Sequence, residues 1–347
     1  MRRTRGNAVS VWLIAAVLAA GMAGCGGDDD EGSGGGGDGG QAEGGQDAVK
    51  TALVLPCATS DPWCKQGFDG ARAVEEKGLI DLEVTTSAPQ DTAGVTRVLA
   101  QHAQGGRELL LAHSTWQDAT FDVAEQFPDV NIATYSFEEH PQVAILQEPI
   151  YEAAYLGGML AGGITESNTI GGSAGQDVPL CHAELEAFEA GAKRINKQVK
   201  MIDTYVGDWN DAAKGKQATQ AQIDQGADVV IACGGGPATG MAQAIKEADI
   251  SGFGYVGDMS SQAPRNMVAS VMYNLEPYFT AIAEDVAADK FRPAKSYEFG
   301  LADDGVDLAL NDEYAVKEIP SDVMDQMEKV REQIMNGEFK VPYEDGL

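Results

Sequence analysis

Positive charge is scarce in this 347-residue chain, where 24 Lys and Arg stand against 54 Asp and Glu and leave a formal net charge of -30. That balance argues against nucleic acid as a partner, since backbone binding requires basic patches. It also favours a neutral or cationic ligand over a phosphorylated one. Histidine is scarcer still: His102, His113, His140 and His182 show no metal-ligand spacing. No activated nucleophile and no acidic ligand cluster is expected beside them, so the chain is read as a non-enzyme with no cofactor. Gly234-Gly235-Gly236-Pro237-Ala238-Thr239-Gly240 invites a phosphate reading but lacks both the Gly-x-Gly-x-x-Gly spacing and the Gly-Lys-Ser/Thr of a phosphate loop. It is expected to let backbone approach a ligand closely, with Gly235 at its centre. Long apolar runs are missing too. The stretch Ala8 to Ala20 is too short for a comfortable membrane span.

That short run has a specific setting. Arg2, Arg3 and Arg5 precede it and Met22-Ala23-Gly24-Cys25 follows, the layout of a secretory signal over residues 1–24. Met22 to Cys25 resembles a bacterial lipobox, which implies that Cys25 is acylated, with palmitate among its chains, and anchors the protein to the outer face of the plasma membrane. More than one acyl chain on a residue gives stable attachment where one does not. Residues 26 to 47 are nearly all Gly, Asp, Glu, Ser and Gln, too poor in apolar side chains to offset ordering entropy. Residues 25–48 are therefore expected to form a lipid-anchored, disordered linker, and about 22 such residues span roughly 25 Å as a flexible coil. Removing residues 1–24, which carry three arginines and no acid, takes the net charge from -30 to -33. Cys57, Cys64, Cys181 and Cys233 remain, an even number that permits three pairings in an exported protein. Closeness in sequence favours Cys57 with Cys64, which leaves Cys181 with Cys233.

Beyond Asp47, short β-branched runs alternate with longer amphipathic stretches, the signature of parallel sheets wrapped by helices. The first series predicts strands at 52–55, 82–86, 108–111, 131–134 and 143–146, with helices at 62–77, 92–103 and 117–127. The second predicts a helix at 151–163, strands at 169–172, 200–205, 228–232 and 254–256, and helices at 180–196, 212–225 and 239–248. A strand at 267–273 and helices at 276–289 and 322–335 close the chain. The fold class is α/β, two doubly wound parallel-sheet lobes. Residues 49–148 and 259–273 are assigned to the first lobe and 149–258 and 274–347 to the second.

Such sheets place ligands outside the carboxyl ends of their strands. Trp63, Trp116 and Trp209, the tryptophans beyond the signal, all fall in or beside loops that follow predicted strands. An aromatic-lined interlobe cleft that grips a flat ligand is the expectation, with Trp63 and Trp116 facing Trp209 and Asp258 across it.

Several separated motifs point to one family. Val206-Gly207-Asp208-Trp209-Asn210-Asp211 with Ile223 to Val230, the helix Tyr151 to Gly158, Phe188-Glu189-Ala190-Gly191 and the closing Glu298-Phe299-Gly300-Leu301 resemble the basic membrane protein (BMP) or purine nucleoside receptor family. These are substrate-binding lipoproteins of ABC transporters with the type I periplasmic-binding-protein fold. The resemblance covers about residues 50–340. It implies a monomeric receptor that delivers a purine base or nucleoside to ABC permease and ATPase subunits. Nucleoside-binding members carry Asp-x-Ser-Phe-Asn where this chain has Ser60-Asp61-Pro62-Trp63-Cys64, so the aromatic is kept and the amide is lost. Their ribose-contacting Lys falls on Tyr273. A subgroup with Trp in both loops is associated with adenine. The expected ligand contacts are Asp61, Trp63, Cys64, Trp116, Asp118, Gln176, Asp177, Trp209, Gly235 and Asp258, with Asp118 and Asp258 reading ring edges and Cys64 lining the mouth only if unpaired. Alternatives are a sensory lipoprotein using the same cleft and a receptor for another flat heterocycle such as riboflavin.

Overall fold

The computed structural model describes residues 47–291, 295–314 and 319–342. The expected signal, the Cys25 anchor and nearly all of the linker lie outside the described residues. The first series runs β1 (Val49–Val54), α1 (Pro62–Glu76), β2 (Ile80–Thr85), α2 (Thr92–Gln104), β3 (Leu109–Ala112), α3 (Gln117–Gln126), β4 (Asn131–Thr134) and β5 (Val143–Gln147). The second runs α4 (Tyr151–Ile164), β6 (Thr169–Ala174), α5 (Pro179–Ile195), β7 (Lys200–Tyr205), α6 (Ala212–Asp224), β8 (Val229–Cys233), α7 (Gly235–Ala248), β9 (Ser251–Gly254) and β10 (Met267–Tyr273). Then follow α8 (Glu276–Ala287), β11 (Ser296–Glu298), β12 (Val306–Leu310) and α9 (Ser321–Met335).

Local chemistry starts the helices. Asp61, Asp91 and Asp211 each accept a backbone N–H of the first turn of α1, α2 and α6, and Pro62 fills the first position of α1, where a missing N–H costs nothing. The strands carry the core: all four residues of β3 and all five of β8 are buried, as expected for parallel strands covered on both faces.

Two six-stranded sheets result, in the orders β11-β5-β4-β3-β1-β2 and β12-β10-β9-β8-β6-β7. The β12–β10 pair is antiparallel, and the other pairings in both sheets are parallel. The chain passes between the sheets three times, after β5, after β10 and between β11 and β12. This corrects the lobe boundaries. β10 pairs in parallel with Gly252–Gly254 of β9, so 259–273 belongs to the second lobe. β11 pairs with Ile145–Gln147 of β5, and α8 packs on α1, so both of these elements return to the first lobe.

Glycines set how closely the second lobe's helices approach. A Cβ on Gly158 would run into the Phe188 carbonyl, one on Gly162 into the Ala192 carbonyl, and one on Gly191 into the Tyr155 carbonyl. The Phe-x-x-Gly motif is thus the contact line between α4 and α5. Both disulfides pair as sequence proximity suggests: Cys57 with Cys64, and Cys181 at the start of α5 with Cys233 at the end of β8. One apolar cluster runs through both lobes and another fills the outer side of the first. Among the described residues no helix is long and apolar enough to cross a membrane.

Candidate ligand cleft

Trp63, in the first turn of α1, is the centre of an aromatic group drawn from both lobes. Its ring lies nearly parallel to His113 (centroids 4.3 Å, 16°) and to Tyr273 (6.1 Å, 12°), with Tyr135 tilted beside it at 5.2 Å. His113 follows β3 and Tyr135 follows β4 in the first lobe, whereas Tyr273 ends β10 of the second. All stand at the carboxyl ends of their strands, the place where open α/β sheets bind ligands.

Hydrogen bonds fix these planes. His113 Nε2 lies 3.0 Å from the Trp63 carbonyl and donates to it, and His113 Nδ1 accepts from the Tyr135 hydroxyl at 3.1 Å. That pattern requires a neutral imidazole with its proton on Nε2. Burial holds it neutral, depressing the His113 pKa to about 4 against the raising effect of the Trp63 carbonyl. Gly67 completes the cradle, since a Cβ there would stand 2.8 Å from the His113 ring.

Behind the rings lie carboxyls and phenols. Glu148 follows β5, and among the described residues Oε1 of Glu148 and both oxygens of Glu184 on α5 are enclosed without a hydrogen-bond partner. Burial pushes the Glu148 pKa up to about 8. Burial, then the Glu148 charge, raises Glu184 well above the carboxylate range. Tyr135, Tyr255 and Tyr273 are likewise raised by burial, and the Glu148 charge adds to each. Tyr255 directly follows β9, and Val256 after it has φ +42°, a strained backbone for a β-branched residue. Strain of this kind gathers at functional sites.

The loop after Val256 brings the lobes together. A Cβ on Gly257 would lie 3.3 Å from Gln66 Nε2 and 3.5 Å from Pro62 Cβ on α1.

A protein-family model described as "ABC transporter substrate-binding protein PnrA-like", named Bmp, matches residues 48–345. The chain belongs to the Bmp family. A Haloferax volcanii ABC transporter protein named for glucose binding is 28% identical over 307 residues, 87% of this chain and 75% of that one. The ABC transporter nucleoside-binding protein BmpA of Lactococcus lactis is 28% identical over 258 residues, 69% and 72% of the two chains. A solute-binding protein structure from Conexibacter woesei superposes with a TM-score of 0.68 at 23% identity over 86% of this chain and all of that one, which shows the shared type I binding-protein fold. Bmp proteins are membrane-associated or periplasmic substrate-binding proteins of ABC transporters, which bind small molecules and deliver them to permease components.

In this Bmp protein the expected contacts divide. Trp63 stands in the interlobe aromatic group, but the plane that meets it from the second lobe is Tyr273, not Trp209. Trp209 is half-buried with its ring over Gly175 and Gly234, within its own lobe, and makes no ring–ring contact among the described residues. Trp116 is not a cleft residue: it is 8% exposed and packs into the first lobe's outer core. Cys64 is buried and disulfide-bonded, so it braces the loop rather than lining a mouth. Asp61 is spent on the Trp63 N–H, Asp258 accepts from Ser260 N, and Asp177 accepts a hydrogen bond from His182 Nε2 at 2.6 Å. Asp118 is exposed in the first turn of α3, and Gln176 is half-buried after β6. At Gly235 a Cβ would meet nothing, whereas Gly236 and Gly240 abut Asn210–Asp211 and Ala212–Lys216, so most of that glycine run serves α6–α7 packing. The spacing Gly-x-Ser-x-Gly does occur, at Gly171 to Gly175, but within β6, with Ser173 fully buried in the strand.

Tyr135, Glu148, Glu184, Tyr255 and, as a stacking plane, Tyr273 are the residues of this group that the sequence reading passes over, whereas His113 borders the cleft in that reading. Asking which residue ends or follows each strand would have found all but Glu184.

Proposed function

We propose that this Bmp protein is a lipid-anchored receptor, acylated at Cys25 and acting as a monomer, that binds a purine base or nucleoside between its lobes and hands it to an ABC permease. One observation carries the reading: parallel rings from opposite lobes, Trp63 and Tyr273, converge at the strand ends. A planar, neutral ring system suits such a pair, because stacking on an aromatic side chain contributes about 1–3 kcal/mol per base. Phenols and carboxyls beside the rings supply donors and acceptors for ring nitrogens. Two features support a base over its nucleoside. Tyr273 stands where nucleoside-binding relatives are expected to carry a ribose-contacting Lys, and the Asp61 carboxylate is engaged as a helix cap. The Lactococcus relative's name supports the nucleoside class, and the Haloferax relative's name makes sugar the competitor.

A thermal-shift screen across adenine, hypoxanthine, guanine, their nucleosides, riboflavin and glucose tests the reading, since a tight ligand raises the melting point by mass action. A purine should give the largest shift, and Trp63→Ala should cut its affinity by about 5- to 150-fold, the equivalent of 1–3 kcal/mol. A shift with glucose alone, or unchanged purine affinity in the variant, refutes it. Cys25→Ser should abolish labelling by radioactive palmitate, and prolonged incubation with inosine or adenosine should yield no free base.

A further inference from the structure

Glu148 and Glu184 are not explained by a receptor that needs only stacking. Glu184 is 0% and Glu148 8% exposed. Among the described residues neither carboxyl has an ion pair, and Oε1 of Glu148 and both oxygens of Glu184 make no hydrogen bond. A buried polar group without a partner is costly. The Glu148 charge bears on Tyr135 after β4, Tyr255 after β9, Tyr273 at the end of β10, Tyr278 on α8 and Glu184 on α5. Tyr278 is committed elsewhere, donating to the Gln147 carbonyl at 2.7 Å. Glu148 is thus the carboxyl that keeps some accessible surface, at the strand ends where the cleft aromatics stand, with Glu184 sealed behind it.

We propose that the Glu148 carboxyl, in its protonated form, is the edge reader of the cleft, and that it takes the side of a planar base where one hydrogen-bond donor stands next to one acceptor. This rests on the purine reading above. The chemistry follows from the donor set. A protonated carboxyl offers one O–H donor and one carbonyl acceptor, whereas a carboxylate only accepts. Adenine presents an amine beside a ring nitrogen, and hypoxanthine a ring N–H beside a carbonyl; each can form two hydrogen bonds with a neutral carboxyl. Guanine carries the same N1–H beside O6 as hypoxanthine and fits a neutral carboxyl in the same way, while its adjacent N1–H and amino donors form a second edge suited to a carboxylate. Phenols and a second acid around Glu148 stabilise no negative charge by ion pairing, and burial favours the proton.

Calorimetry on the full folded protein with adenine, hypoxanthine and guanine, from pH 6 to 9, tests the assignment. Wild type should bind its preferred purine most tightly in the range where Glu148 keeps its proton. Its affinity should be level to about pH 8, where Glu148 loses its proton, and then fall about tenfold per pH unit. Glu148→Gln keeps a donor and an acceptor but cannot titrate, so its affinity at pH 7 should stay within about threefold and its profile should be flat. Glu148→Leu should lose about tenfold or more. If Glu148→Leu fails to fold, the glutamine profile decides. An affinity that rises above pH 8, an unchanged affinity in a folded leucine variant, or a glutamine variant that retains the wild-type fall above pH 8 overturns the assignment. Should no purine bind wild type, the purine reading fails and this one with it. Should purines bind, and Trp63→Ala weaken them while both Glu148 variants behave as wild type, only the Glu148 assignment fails.

Discussion

Trp63 and His113 show how a single ring is held still. The imidazole stacks on the indole, grips that residue's own carbonyl through Nε2–H, and is itself fixed by the Tyr135 hydroxyl. Ordering this loop before the ligand arrives lowers the entropy that binding must overcome. The arrangement needs an unprotonated His113, and the folded protein holds its pKa at about 4 against 6.5 unfolded. The unfolded chain therefore binds the extra proton first as pH falls. The contribution to stability is present above pH 6.5 and drains away towards pH 4, by on the order of 3 kcal/mol in all. Chemical denaturation of wild type and His113→Gln across pH 4–7 should show a steeper acid loss in wild type, and parallel curves would contradict the neutral-imidazole account. Gly67→Ala strikes the same ring and should destabilise by about 1–3 kcal/mol. Trp63 was legible because an aromatic after a strand is conspicuous. Tyr135, Tyr255 and Glu148 were not, since tyrosine and glutamate are common and only their position at strand ends sets them apart.

Among elements, type and order were readable from β1 to α8 and again at α9, because alternating short apolar runs and amphipathic stretches have different periods, whereas the short β11 and β12 stood outside that pattern. Position was less so where glycine hides the pattern. β9 lies at Ser251–Gly254 rather than 254–256, with Gly252 and Gly254 contributing no side chain to a hydrophobic run. α7 begins at Gly235, four residues ahead of the expected start, because Gly236 and Pro237 read as loop yet occupy its first turn. The lobe to which β10 belongs was not legible at all. Six of its seven residues are buried, so its own pattern fits the middle of either sheet, and only its pairing with β9 and β12 decides. The α4–α5 contact line gives the test at this scale. Gly158→Ala puts a methyl group against the Phe188 carbonyl, a backbone atom in a helix that is tied to β8 by the Cys181–Cys233 disulfide and so cannot readily shift. A loss of about 1–3 kcal/mol is expected, read as a lower denaturation midpoint with unchanged slope, whereas Gly78→Ala, at φ +75° in an open turn, should cost about 1 kcal/mol through backbone strain alone.

For the whole molecule, three crossings of the chain join the sheets, and the cleft floor is built by residues that flank two of them: Glu148 follows β5, and Tyr273 ends β10. Rotation of the lobes about these strands therefore changes the Trp63–Tyr273 spacing and the surroundings of Glu148 together. A ligand that touches both lobes selects the arrangement in which these groups converge, and can do so only by the difference in its affinity for the two states. The Gly257 approach to Pro62 and Gln66 belongs to that same converged arrangement, because it brings second-lobe backbone against first-lobe helix. A side chain there acts as a wedge while touching no cleft ring. Gly257→Leu should leave the melting transition of each lobe's core little changed and should enlarge the radius of gyration of the ligand-free protein in X-ray scattering. Apparent affinity falls in proportion to the fraction of molecules still able to close, so a variant that closes in about one molecule in ten binds about tenfold more weakly. Saturating ligand should restore the wild-type radius. A variant that binds weakly with unaltered scattering would place the defect in the cleft itself and remove the wedge as its cause.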